Sequence, residues 1–223
     1  MARTIAALSL GLVSVGVLGG PSGAFELYYG APQDQQCALS RGVRVEAEWV
    51  AELHEIMPAA QELWSSQAPK MFGAVANLTG KHTEPYAVPV RLTLCDAPSQ
   101  SFSGPVVNMR FALRSFTSSP VPLRYKIDIA FHESMHHFVE GLVSDKSPLI
   151  QAHHSEEACV LNHLHLLALQ KAVLLSLGEL AELHQVISFD SELPSGCYKR
   201  AWALVNETNS MYKAYVAELR GGA

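Results

Sequence analysis

His132, Glu133 and His136 stand in the spacing His-Glu-x-x-His, and no other stretch of this 223-residue chain combines residue types and intervals so suited to one chemistry. On a helix, positions four apart differ by about 40° around the axis and lie about one turn apart along it, so both imidazoles can reach one cation from the same side. Glu133, about 100° from His132, stays near enough to take a proton from a water that the ion activates. Zinc lowers the pKa of such a water to about 7, which supplies the nucleophile that hydrolysis at neutral pH requires.

The flanks predict the helix this geometry needs. Asp128 is placed to cap it, and Ile129, Phe131, Met135, Phe138, Val139, Leu142 and Val143 leave it little polar surface. Gly141 and the polar residues 144–148 then end it. Three ionisable groups on a helix so deeply buried are costly to desolvate without a partner, and a metal ion is such a partner.

The rest of the chain must position that helix. Residues 1–24 read as a leader for export: Arg3 gives a positive start, residues 5–18 an uncharged apolar run, and Ser22-Gly23-Ala24 a small-x-small cleavage site. The mature chain is then expected to begin at Phe25, and no later apolar run reaches the length of a membrane span. Residues 25–223 fit one domain. A formal charge of −5 without a basic run excludes a partner followed through its nucleic-acid backbone. Hydrophobic residues at 48% exclude a disordered chain. In an oxidising compartment the four cysteines, Cys37, Cys95, Cys159 and Cys197, predict two disulfides. Cys159 and Cys197 invite pairing, but all three connectivities stay open.

Residues 25–43 read as an irregular lead-in, and 45–77 as helical, with Pro58 either kinking one helix or starting a second. Residues 86–95 and 106–116 alternate as strands do, with Pro89 marking an edge or a bulge, and 121–125 offers a short third strand. Helices are expected over 156–177, 179–187 and 198–219. The predicted fold class is α+β: a small, mostly antiparallel sheet packed on the motif helix, with further helices before and after it.

A catalytic zinc takes three protein ligands and keeps an open position. Leu142 stands where the metzincin pattern needs its third histidine, so that pattern is excluded. Glu156 and Glu157 open the next helix about twenty residues downstream. With His132, Glu133 and His136, this downstream Glu makes residues 86–175 resemble the gluzincin clan of zinc metallopeptidases, the thermolysin-like group. The chain departs from the clan's Asn-Glu-x-x-Ser-Asp form, since Val160 and Leu161 follow where its Asp would stand. The resemblance implies a zincin-like fold, a zinc ion, a peptide or protein substrate and a Glu as third ligand. Of the two, Glu157 shares its helical face with Val160, Leu161, Leu164, Ala168 and Leu175. Glu156 shares the wetter face of Cys159, His163 and Gln170. A ligand must point inward, so Glu157 is preferred, with Glu156, His153 and His154 as alternatives.

Among the other histidines, His137 lies off the metal face, and His163, His165 and His184 read as structural. Cys159 and His163, four apart, could form a thiol nucleophile, but a disulfide or packed cysteine is the favoured reading. The resemblance also implies a Tyr or His that stabilises the oxyanion, for which Tyr198, Tyr212 and His154 are candidates. It further implies a strand that holds extended substrate, to which Asn108 and Arg110 would contribute. The expectation is an exported zinc metallopeptidase with Glu133 as general base. The alternative is a non-catalytic secreted binding or structural module with a structural metal site, which would have no use for a carboxylate beside the ion.

Overall fold

Helix α3, Leu123–Glu140, carries the motif and is buried along most of its length. No Gly or Pro interrupts it; Pro122 precedes its first turn and Gly141 follows its last. The computed structural model describes residues 25–144 and 146–221, so the expected leader, 1–24, lies outside the described residues. The expected cap at Asp128 is replaced by an earlier start. Residues 123–125, read from sequence as the end of a third strand, form the first turn of α3, and Asp128 sits inside the helix. There it accepts hydrogen bonds from Arg124, one turn back, at 3.2–3.3 Å, and Arg124 also pairs with Glu179.

Ahead of α3 lie β1 (Leu27–Tyr29), α1 (Ala31–Arg41), α2 (Ala47–Thr79), β2 (Val90–Thr93) and β3 (Val106–Asn108). After it come α4 (Pro148–Ala152), α5 (Ala158–Ser176), α6 (Leu180–Ser191), α7 (Cys197–Val205) and α8 (Met211–Gly221). The protein is mostly helical, and among the described residues three strands pair in the order β1-β2-β3, every pair parallel. This corrects the expected zincin-like, mostly antiparallel sheet. Alternation in 86–95 and 106–116 signals half-buried strands but carries no information on their direction. The dozen residues 94–105 are long enough to bring the chain back alongside β2 in the same sense. The remaining strand, β1, comes from the stretch read as irregular lead-in and reaches β2 across α1 and α2. Of the expected 106–116 strand, Val106–Asn108 forms one, and Arg110–Ala112 forms a 3-10 turn.

Helix α2 runs unbroken for 33 residues through Pro58 and Pro69, about 50 Å, and stops at Gly80, whose φ of 70° suits glycine. Gln61 on α2 staples the free edge of β1: it accepts from the Leu27 amide at 2.7 Å and donates to the Phe25 carbonyl at 2.9 Å. Aromatic contacts carry the core inward from there, with Phe72 of α2 set edge-on against Phe131 of α3 at 5.9 Å. Helix α5 packs against α2, α3, α6, α7 and α8. Among the described residues it is the single helix long and apolar enough to cross a membrane; 67% of that stretch is buried within the protein, as in the core helix of a folded domain.

Two disulfides close the structure, Cys37–Cys95 between α1 and the end of β2, and Cys159–Cys197 between the starts of α5 and α7. Closing loops of 58 and 38 residues restricts the unfolded chain by about 4 kcal/mol each in the loop-entropy picture. Such bonds are compatible with an oxidising environment.

Candidate metal centre

Helix α3 presents His132 and His136 one turn apart, with ring centroids 5.0 Å from each other. Against them α5 sets His163, whose ring lies 5.4 Å from His132 and 5.2 Å from His136. One nitrogen from each of the three imidazoles falls within 4.8 Å of the others, a group that could hold a metal ion. Two of the rings are oriented by hydrogen bonds on their far side. His132 Nδ1 lies 3.1 Å from Gln170 Oε1, and Gln170 is turned that way because its Nε2 donates to the Asp128 carbonyl at 3.5 Å. His163 Nδ1 lies 2.6 Å from the Cys159 carbonyl. Each contact needs a proton on Nδ1, which leaves each Nε2 as the lone-pair nitrogen that an ion could take.

Glu133 tests whether these residues fit a cation. Its side chain is 3% exposed, its Oε2 is buried without a hydrogen-bond partner, and that oxygen lies 3.8 Å from His136 Nε2. Burial, helped by the charge of Asp190, pushes the Glu133 carboxyl up to about 8. An orphaned carboxylate oxygen beside three convergent imidazoles is a set of donors that a divalent cation satisfies and that a closed apolar core does not. Asp190 stands behind, held by Tyr125 Oη–H and Trp202 Nε1–H, each at 2.8 Å.

Tyr198, in the first turn of α7, completes the surroundings. Its ring packs 4.5 Å from that of His163, and its hydroxyl lies 3.4 Å from His132 Nε2. Burial and the nearby carboxylates Glu133 and Asp190 raise its pKa, so it remains a neutral O–H donor. The Cys159–Cys197 bond fixes this arrangement, since Tyr198 follows Cys197 directly and His163 is one turn beyond Cys159. A cleft of about 550 Å³ opens beside His132, Glu133 and Tyr198.

The structure thus brings together His132, Glu133 and His136 of the expected set, but not Glu157, which is exposed at the N-cap of α5. Glu156 pairs with Arg200, and His154 is exposed, with Nδ1 on the Gln151 carbonyl at 2.9 Å. His153 caps the end of α4 and is not part of the group either. Tyr212 lines a different hollow with Leu78 and Arg220. Asn108 and Arg110 serve the fold: Asn108 donates to the Cys95 carbonyl at 3.0 Å, and Arg110 pairs with Asp96. His165 pairs with Glu218, and His137 is exposed. Sequence reasoning missed His163 and Gln170, although both lay on the wet stripe of α5 with Cys159.

The imidazoles are held neutral in advance. Burial, then the neighbouring histidines, lowers His132 well below its ordinary value and His136 to about 4, and burial lowers His163. Protons compete with an ion only for an imidazole whose pKa lies near or above the pH, so lowered pKa values preserve affinity in mild acid. Ordinary imidazoles near 6.5 would lose about 500-fold in combined affinity between pH 7 and 5.5. Here the lowered imidazoles should cost much less affinity over that range. In Glu133→Gln, zinc affinity measured by chelator competition should fall far less than that between pH 7 and about 5.5; a loss of several hundredfold would show ordinary ligands.

Comparison of the chain with protein-family models, with curated proteins and with solved structures gave no match.

Proposed function

We propose that this chain is a zinc-dependent hydrolase of peptide bonds, with His132, His136 and His163 as the metal ligands and Glu133 as general base. The observation that carries the reading is the buried, unpartnered Oε2 of Glu133 beside three convergent imidazoles, with Glu133 and His132 lining a cleft. Three imidazoles suit zinc, and a structural zinc site takes four protein ligands where this group offers three. Zinc, when bound, supplies Lewis acidity that polarises a carbonyl and lowers the pKa of water to about 7.

The chain's own residues do the rest. Gln170 and the Cys159 carbonyl orient His132 and His163, so two of the three rings are already held in place. Glu133, 3.8 Å from His136 Nε2, is the carboxylate placed beside the ion to take a proton and later return it. Tyr198 presents a neutral hydroxyl on the same side of the site, a donor for the oxyanion of an attacked carbonyl. Export with removal of residues 1–24 belongs to the same proposal, and the two disulfides support it.

Metal removal tests the reading. The protein as purified should hold one zinc per chain and cleave members of a broad peptide library. A chelator should abolish cleavage, and stoichiometric zinc should restore it. Full zinc with no cleavage across the library would move the chain to a binding or structural module in which the metal only staples the fold.

A further inference from the structure

Lys126, Ile129 and Glu133 follow one another at i, i+3 and i+7 along α3, so they share a face. At 1.5 Å per residue, Lys126 lies about 10 Å along the helix from Glu133. All three line the cleft, which therefore runs from the metal centre along an apolar floor to a lysine. That lysine is in an unusual position for an ammonium. It is 6% exposed, and among the described residues it makes no hydrogen bond and no ion pair. Its nearest electrostatic contact is the face of the Tyr125 ring at 5.9 Å. The acids lining the same cleft are engaged elsewhere or distant: Asp190 is held by Tyr125 and Trp202, Asp96 by Arg110, Glu133 lies at the metal end, and Glu192 is exposed at the rim. Burial without a partner pushes the Lys126 ammonium down to about 8. Holding a cation there costs stability, a cost that an anion entering the cleft would offset.

We propose that Lys126 anchors a carboxylate of the substrate, so that the enzyme cuts a peptide bond about three residues from a free C-terminus or an acidic side chain. This rests on the peptidase reading above. An extended peptide advances 3.3–3.6 Å per residue, so about three residues cover the distance from Glu133 to Lys126, and Ile129 between them gives an apolar seat for an intervening side chain. The anionic end selects the register, because a carboxylate left without its ammonium in a desolvated cleft is poorly bound.

The test uses the full zinc-loaded chain and N-acetylated peptides of three to six residues. One pair ends in a carboxylate or an amide; a second, amide-ended pair carries Glu or Gln at the third residue from the cleaved bond. Wild type should prefer one carboxylate source over its neutral counterpart by about tenfold to a hundredfold in kcat/KM. Which pair shows the preference tells a C-terminal anchor from a side-chain one. In Lys126→Met that ratio should fall to about one, chiefly through KM. Wild type without a preference for either carboxylate, or Lys126→Met retaining it, overturns the proposal. Binding of the same peptides to zinc-loaded Glu133→Gln, by calorimetry, separates this from a failure of the peptidase reading. If nothing is cleaved but carboxylate peptides bind tenfold tighter than neutral ones and lose that margin in Lys126→Met, the anion pocket stands without the peptidase. Equal binding of both overturns the pocket.

Discussion

Replacing His163 by alanine should empty the site of metal, whereas replacing Glu157 should leave it filled. His163 supplies one of three nitrogens that converge within 4.8 Å, while Glu157 ends at the exposed N-cap of α5. Loss of a ligand's hydrogen-bond partner, such as Gln170, weakens metal binding by about 10–100-fold, and loss of the ligand itself should exceed that. The Cys159–Cys197 bond and the apolar contacts of α5 remain in His163→Ala, so the fold should persist while the metal leaves. Zinc content after dialysis, with circular dichroism on the same sample, decides the matter. Retention of one tightly held zinc by His163→Ala together with its loss from Glu157→Ala would overturn the three-histidine assignment.

Glu133→Gln should keep zinc and lose cleavage. The carboxyl lies beside the imidazoles rather than among them, so its replacement removes proton transfer and not a ligand. Loss of a general base costs about 10²–10⁴ in rate. The metal-free proteins should also differ in their stability against pH, with a sign set by the raised carboxyl. Between its unfolded pKa near 4.5 and its folded value of about 8, Glu133 binds more proton when folded, so wild type loses stability as pH rises through that window. The glutamine variant lacks that decline, and its melting temperature should gain on wild type from pH 5 to pH 8. Unchanged cleavage in Glu133→Gln would reject the mechanism.

The motif and the burial of its helix were legible because H-E-x-x-H constrains both residue type and helical phase. The third histidine of the convergent group was not, for a physical reason. Choosing Glu157 assumed that the apolar face of α5 points inward, yet α5 is packed by five other helices, so its apolar face gives no direction. The polar stripe of Cys159, His163 and Gln170 was the informative one, because a metal centre is a polar interior. Asp128 misled similarly: an acid near a helix start reads as a cap, and here Arg124 makes it tolerable one turn inside. Strand β1, three residues long, is too short to show a period, and its pairing with β2 depends on the path of α1 and α2.

The bond between Cys159 and Cys197 also bears on which metal the centre can accept. Both sulfurs lie 4.0 Å from His163 Nδ1, and with His163 the two cysteines form a second convergent group. As thiolates they would be soft ligands, drawn to Cu(I) as readily as to zinc, and they would compete with His132 and His136 for the imidazole the two groups share. Oxidation withdraws that competitor. What remains is an all-nitrogen set of borderline hardness, so in the proposed reading the same covalent bond that seats Tyr198 beside His163 would keep a thiophilic ion from the three imidazoles.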